Sequence, residues 1–144
     1  MATLSYQQQT YKRVHVETAN PGRILLSLYD AAIRFTERAV EQIEAGDLAG
    51  KGQSLGRAHA IVAEFIAALD HKRSPELCRN LELVYIFMID QLMEANTRVD
   101  AAPLALVLKH LRSMRETWSQ AVNQAAILEA AGNSPAVASA QGRG

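Results

Sequence analysis

The sequence predicts an all-α protein, an antiparallel up-down four-helix bundle, and three observations support that fold class. Apolar residues recur at spacings of three and four over four long segments, which is the period of an amphipathic helix. Pro and Gly lie mostly at the edges of those segments, and no stretch of comparable length alternates apolar and polar residues. The connections between segments are short, so consecutive helices are expected to run antiparallel.

Residues with known capping preferences mark the ends of the predicted helices. Asn20-Pro21 begins the first helix, because Asn is a strong N-cap and Pro is favoured at the first helical position. Gly46 is a plausible C-terminal stop for the same helix. The start of the second helix is less defined, since Gly50 and Gly52 weaken its first turns. The candidate starts of the last three helices are, in chain order, Asp47, Ser74-Pro75 and Asp100.

The chain divides into three regions by composition. Residues 20–128 hold the four periodic segments and form the predicted bundle. Residues 1–19 are polar with interspersed Tyr and Val, and they predict an N-terminal arm or short helix. Residues 129–144 are small and polar, and they predict a disordered C-terminal tail.

The composition argues against several functional classes. The 144 residues contain 15 Lys and Arg against 15 Asp and Glu, so the chain lacks the basic surplus of a nucleic-acid binder. The single cysteine, Cys78, forms no internal disulfide and no cysteine-rich zinc site. No run of about 18 apolar residues predicts membrane insertion, and the N-terminus lacks the features of a cleaved signal peptide. We therefore expect a cytoplasmic protein.

The sequence motifs of common cofactor and catalytic sites do not occur. Ferritin-like di-iron bundles need Glu-x-x-His pairs, and attached c-type haem needs Cys-x-x-Cys-His. Neither is found, nor is a phosphate-binding Gly-rich loop or a Gly-x-Ser-x-Gly elbow. We expect no cofactor, no metal site and no catalytic residue of these kinds.

The third predicted helix has more apolar surface than one core face requires. Leu83–Ile89 is a run of seven residues without a charge, and successive helical residues point about 100° apart. A helix that is apolar all round is buried on more than one side. Either a second copy, the N-terminal arm or a partner helix covers part of it, or the helix simply has a wide core stripe. The residues expected to lack cover in a single four-helix layer are Leu83, Ile86, Phe87 and Ile89.

A series of short segments runs through about residues 6–122, and its order and spacing are specific. The segments are Tyr11, Thr18–Pro21, Leu28–Phe35, Gly46–Leu48, Lys51-Gly52, Arg57-Ala58, Ala68–Asp70, Asn80-Leu81, Leu83–Met88, Leu92–Asn96, Asp100 and Trp118. Together they resemble the FliS family, the flagellar export chaperones that hold flagellin in the cytosol.

The resemblance implies both a fold and a partner. FliS-like proteins are antiparallel helical bundles without enzymatic activity. They bind the C-terminal segment of flagellin, which gains helical structure in apolar grooves and is prevented from polymerising prematurely. In the free chaperone the N-terminal arm covers part of that surface. The resemblance also implies delivery of the client to the export gate of the flagellar type III apparatus, and we expect a monomer or weak dimer when the client is absent.

Candidate partner-binding residues follow from the resemblance together with the apolar surplus. Tyr11 is the first candidate for the removable arm, and Tyr6 is the second. The candidates for the groove are Ile61, Phe65, Leu81, Tyr85, Ile86, Met88 and Ile89. Several of these residues must belong to the ordinary core, and the sequence does not sort them.

Two other classes of function remain open from the residues themselves. A phosphotransfer bundle would use an exposed histidine near a cation, and His59 or His110 fits that description. A self-assembling structural bundle would use the third helix as a dimer seam. Ordinary solvated histidines and a single apolar partner groove are the competing interpretations.

Overall fold

The computed structural model describes residues 20–132, and these residues form four helices joined by short connections. The helices are α1 (Pro21–Ala45), α2 (Leu48–Ala67), α3 (Pro75–Arg98) and α4 (Ala102–Gly132). The four predicted helices are therefore confirmed. The predicted arm, 1–19, lies outside the described residues, as does 133–144 of the predicted tail. Helix α4 continues past position 128 because Glu-Ala-Ala at 129–131 consists of good helix formers.

The helix boundaries follow from local capping. Three of the four candidate capping side chains accept a hydrogen bond from a backbone N–H group in the first turn that follows. These bonds run from Arg23 to Asn20 at 2.9 Å, from Gly50 to Asp47 at 3.0 Å, and from Ala102 to Asp100 at 3.0 Å. Ser74 makes no such bond, yet α3 still begins at Pro75. Gly46 ends α1 at φ 75°, a conformation that favours glycine.

Residues 28–115 form one compact unit that includes parts of all four helices. Side-chain contacts fix the direction of its helices. Near the end of α1, Gln42 accepts a hydrogen bond of 2.7 Å from Ser54, which lies near the start of α2. Near the start of α1, Tyr29 stacks on Phe65 from the end of α2, with ring centroids 4.4 Å apart. The two helices are therefore antiparallel.

The order of contacting residues along each helix also gives the directions of α3 and α4 within this unit. In the contacts between α2 and α3, residues early in one helix meet residues late in the other. The contacts between α1 and α4 have the same reversed order. The α2–α3 pairs are Lys51 with Asn96 and Phe65 with Tyr85, and the α1–α4 pairs are Asp30 with Arg115 and Glu37 with Arg112. The up-down-up-down arrangement predicted from the sequence is therefore confirmed.

The core of this unit is built from one stripe of each helix. Its buried apolar residues are Tyr29, Ala32, Ala39, Leu55, Ala58, Val62, Phe65, Cys78, Tyr85, Met88, Leu92, Ala95, Leu104, Val107 and Leu111. Lys51 is also buried, at 7% exposure, and its ammonium group donates to the carbonyl oxygen of Asn96 at 2.9 Å. That carbonyl lies in the last turn of α3, where the helix dipole favours a positive charge. The buried lysine is thus both hydrogen-bonded and electrostatically matched.

The second compact unit consists, within the described residues, of 20–27 and 116–132. Here Gly22 of α1 lies against Val122 of α4. A Cβ atom at Gly22 would come within 2.7 Å of Val122 Cγ2, which is closer than real Cβ contacts allow. Glycine is required at this position by the close approach of the two helices, although its backbone is ordinary helix.

Helix α3 ends in a strained residue, and relieving the strain should stabilise the protein. Val99 is the one non-glycine residue of 20–132 with a positive φ, at φ 53° and ψ 49°. A β-branched residue is unfavourable in this left-handed conformation, whereas glycine adopts it freely. We expect Val99→Gly to raise the free energy of unfolding by about 1 kcal/mol, measured by urea denaturation. Val99→Ala retains a Cβ and should gain clearly less. A lower denaturation midpoint for Val99→Gly would contradict this account.

Candidate protein-binding surface

Three aromatic residues from three helices meet in the core of the 28–115 unit. Tyr29 stacks on Phe65 with ring planes 18° apart, and Phe65 lies 5.4 Å from Tyr85 between ring centroids. The hydroxyl groups of Tyr29 and Tyr85 are 2.6 Å apart and share a buried hydrogen bond. Burial raises the pKa of the Tyr85 phenol above its ordinary value of 10.0, and the bond with Tyr29 opposes part of this shift. This aromatic cluster fixes the orientation of α3.

The structure separates the predicted groove residues into three groups. Phe65, Tyr85 and Met88 are buried, at 4%, 3% and 0% exposure, so they form core in this conformation. Ile86 is exposed at 44%. Ile61, Leu81 and Ile89 are half-buried. The two arm candidates, Tyr6 and Tyr11, lie outside the described residues.

The outward side of α3 is an open apolar surface. Leu83 is 62% exposed, Ile86 44%, Phe87 38% and Met93 54%. Incomplete cover was expected for the Leu83–Ile89 run, and it is confirmed for Leu83, Ile86 and Phe87. Single exposed apolar residues are common on proteins, but Leu83, Ile86 and Phe87 are neighbours at helical spacings and form an apolar patch, which is a candidate interaction site. The exposed Asp90 separates this patch from Met93.

One side of this surface borders a cleft between α2 and α3. We call it the α2–α3 cleft; its volume is about 90 Å³, and it is lined by Gly52, Leu55, Gly56, His59, Leu92, Met93 and Asn96. No atom lies within 4 Å of a Cβ built on Gly52 or Gly56. The floor is apolar, from Leu55 and Leu92, and the α2 wall has no side chain at Gly52 and Gly56, with His59 beside them.

The small residues continue along α2 beyond the cleft. The outward positions Gly56, Ala60, Ala63 and Ala67 are all exposed and follow one another at helical spacings. Small side chains let the backbone of a second helix come close, as in other tightly packed helix pairs. Sequence reasoning missed this row because it treated the early glycines of α2 only as a weakness of the helix. The recurring small residues at spacings of three and four were the available signal.

The other side of the α3 surface is bounded by α4. The Phe87 ring contacts the His110 ring edge-on at 5.9 Å between centroids, and Leu106 is 44% exposed on α4. Of the two histidines considered for phosphotransfer, His110 therefore contacts an aromatic ring and His59 lines the α2–α3 cleft. Both belong to the edges of one apolar surface.

Two further features of the described residues concern metal binding and membranes. Within 20–132, no group of three or more His, Cys, Asp or Glu side chains is placed to hold a metal ion. No helix in the same range is both long and apolar enough to cross a membrane. The exposed apolar residues make the α3 surface and its cleft a candidate site for binding a protein.

An antiparallel helical bundle with an open apolar helix face is typical of proteins that receive a helical segment of a partner. The family model for flagellar protein FliS matches residues 2–125. Two proteins named flagellar secretion chaperone FliS are each 32% identical to this chain. The one from Bacillus subtilis aligns over 78% of this chain and 83% of its own length, and the one from Salmonella typhimurium over 84% and 93%. The chain belongs to the FliS family of flagellar secretion chaperones.

A further relative extends the same description. Flagellar secretion chaperone FliSB from Pseudomonas aeruginosa is 31% identical over 118 residues, which cover 82% of this chain and 94% of the relative. The resemblance inferred from the sequence segments is confirmed. A chaperone family is not an enzyme class.

We expect the free energy of unfolding to fall at high pH because Tyr85 is buried in the aromatic cluster. Because the pKa of Tyr85 is raised in the folded state, the unfolded chain releases this proton at lower pH than the folded one. The stability that neutral Tyr85 contributes is fully present below the pKa that this phenol has in the unfolded chain. That stability is lost as the pH rises through the pKa of the folded protein. We expect Tyr85→Phe to flatten the fall in unfolding free energy that begins near the unfolded pKa, at about pH 10, measured by urea denaturation. An unchanged slope would show that Tyr85 ionises as freely as in the unfolded chain.

Proposed function

We propose that this chain is a cytoplasmic chaperone that binds the C-terminal segment of flagellin. It prevents premature polymerisation and helps deliver the client to the export gate of the flagellar type III apparatus. Membership of the FliS family supports the choice of client. The single observation that carries the proposal is the open apolar surface of α3 beside the α2–α3 cleft.

The surface has the geometry that an amphipathic helix needs. Ile86 and Met93 are seven residues apart and exposed on α3, so they present apolar side chains two helical turns apart, with the exposed Asp90 between them. The row of small residues on α2 leaves room for the client backbone beside them. A client helix that lies in this channel would bury its own apolar stripe against both helices, which is the helix-in-groove mode of peptide recognition.

The energetics favour a complex that is stable yet reversible. Each apolar side chain moved from water into the groove contributes about 1.5–3 kcal/mol, whereas ordering a flexible segment costs about 2–5 kcal/mol. A handful of apolar anchors is therefore enough. A flagellin terminus polymerises by burying the same kind of stripe, so occupying that stripe blocks assembly.

The N-terminal arm has a regulatory place in this proposal. Tyr11, with Tyr6 second, would cover apolar surface when no client is bound. A cover of this kind limits self-association, so the free protein stays a monomer or weak dimer. Displacing the arm reduces the apparent affinity for the client, and this helps release at the export gate.

Calorimetric titration with a peptide of roughly 40–50 residues from the C-terminus of the same organism's flagellin tests the proposal directly. We expect saturable one-to-one binding with a negative heat-capacity change, because apolar burial is coupled to folding of the peptide. No heat at several temperatures, with the bundle folded, would contradict it. A mass that stays dimeric on dilution, together with no binding, would support the self-assembling bundle.

A variant of the small-residue row separates binding from folding. Gly56 is exposed in the interior of α2, so Gly56→Gln should stabilise the helix by about 0.5–1 kcal/mol. The new side chain would occupy the space of the client backbone, and we expect a loss of affinity of about tenfold or more. Ala105→Gln, on an exposed position of α4, is the matched control and should bind normally. If Gly56→Gln binds the flagellin peptide as tightly as the unaltered chain does, the small residues of α2 are not part of the site.

A second variant tests the α3 side of the channel. Ile86→Gln removes an apolar anchor from a residue that is already 44% exposed, so the fold should be retained. We expect affinity for the flagellin peptide to fall about fivefold to tenfold, as for a partly buried aliphatic side chain. Ile127→Gln makes the same chemical change at a residue of α4 that is 68% exposed. Equal losses in both variants would mean that exposed apolar residues act without a defined site.

A further inference from the structure

A second concave surface lies between α1 and α2, within the 28–115 unit. We call it the arginine pocket; its volume is about 360 Å³, and it is lined by Arg34, Phe35, Arg38, Gln42, Gln53, Ser54 and Arg57. Three guanidinium groups line it, and no carboxylate does. Its other polar groups are amides and a hydroxyl, so the lining is rich in hydrogen-bond donors.

Phe35 holds two of the arginines in place. The guanidinium carbons of Arg38 and Arg57 each lie 5.6 Å from the centroid of the Phe35 ring, which is cation–π distance. Arg38 comes from α1 and Arg57 from α2, so the ring joins the two walls. Beneath them, Ser54 donates a hydrogen bond of 2.7 Å to Gln42. The positive groups are therefore partly pre-ordered before any ligand arrives.

Two acids border the arginine pocket, but neither lines it and neither pairs with its arginines within 4 Å. Glu37 and Glu41 share the adjoining concavity with Arg34 and Arg38, but Glu37 pairs with Arg112 of α4 at 3.6 Å. Within residues 20–132, the ion pairs shorter than 4 Å include none of the three pocket arginines. The three arginines exceed the two adjoining glutamates, so the pocket has a local positive excess in a chain with no net charge. Like charges held together favour an anionic partner.

We propose that the arginine pocket is a docking site for an acidic segment of a partner protein. Arginine binds carboxylates bidentately, and its planar fork suits such pairs better than lysine does. Arg34 and Arg38 stand one turn apart on α1, about 6 Å along the axis, and Arg57 faces them from α2. This spread matches two or three carboxylates along a peptide better than one compact anion. The Phe35 ring offers contact for an apolar side chain between them.

This site is separate from the proposed flagellin channel. Helix α2 contributes to both, with Gly52 and Gly56 in the α2–α3 cleft and with Gln53 and Arg57 in the arginine pocket. The α2–α3 cleft and the arginine pocket therefore share no lining residue, although Ala60 of the small-residue row adjoins Arg57 on the helix surface. The inference does not depend on flagellin being the client, because it follows from the charge and geometry of the pocket.

Fluorescence anisotropy with a defined peptide tests the proposal on the full chain. The probe is a labelled peptide of about twelve residues with Glu at every second position and Gly or Ser between, and its control carries Gln for Glu. We expect saturable binding of the Glu peptide only. Affinity should fall about tenfold between about 50 mM and about 300 mM NaCl, because exposed charge pairs are screened. Equal binding of the Gln peptide would overturn the proposal.

Substitutions then locate the site. Arg38→Gln and Arg57→Gln should each weaken binding about threefold to tenfold. This loss lies between the loss expected for an exposed ion pair and the loss expected for a charge-assisted hydrogen bond. Phe35→Leu keeps an apolar side chain but removes the ring that orients both arginines, and it should weaken binding as well. Arg73→Gln makes the same charge change in the exposed turn between α2 and α3 and should have no effect. Circular dichroism verifies that each variant is folded.

Two competition experiments complete the test. Inorganic phosphate should displace the Glu peptide only at far higher concentration than the unlabelled peptide; equal potency would mean a simple anion site and would overturn the proposal. The flagellin peptide should bind Arg57→Gln as it binds the unaltered chain. Displacement of the Glu peptide by the flagellin peptide would overturn the assignment of two separate surfaces.

Discussion

The buried contact among Tyr29, Phe65 and Tyr85 is the constraint on which the surface of the 28–115 unit depends. It joins α1, α2 and α3, and the hydrogen bond between the two phenols at 2.6 Å sets the rotation of α3 about its own axis. Since successive helical residues point about 100° apart, burying Tyr85 directs Ile86 and Phe87 outward. The apolar face of α3 is thus a geometric consequence of its core contact, and it is the face that the proposed client would cover.

Helix α2 contains two glycines that reduce its stability and that its packing does not require. A glycine inside a helix is less stable than alanine by about 0.5–1 kcal/mol, and Gly52 and Gly56 face open space. In contrast, Gly22 of the other unit is required by contact with Val122. No internal contact demands these two glycines, and the proposed client helix would account for them, because a closely approaching helix needs this kind of surface. Packing of α2 against α1 and α3 offsets the cost.

The sequence predicted the helix boundaries well because their causes are local. Asn20, Asp47 and Asp100 accept the expected bonds from nearby N–H groups, and Gly46 has the expected positive φ. The candidate site was harder to predict, since all seven residues of the Leu83–Ile89 run are uncharged and the rotation of α3 decides which are buried. Tyr85 and Met88 became core while Ile86 did not. The arginine pocket depends on two helices coming together, which no single segment reveals.

The two proposed surfaces differ in the physics by which they hold a partner, and this difference suits a chaperone that must both retain and deliver. Apolar burial in a channel gives slow dissociation, because water must return to every anchor before the client leaves. An exposed cluster of Arg34, Arg38 and Arg57 acts mainly on the rate of encounter and on orientation, and it weakens readily with salt. Such a complex would hold its client by apolar burial and would bind its next partner through the arginine cluster. It could therefore bind that partner without releasing the client early. Helix α2, with small residues toward α3 and arginine toward α1, connects the two.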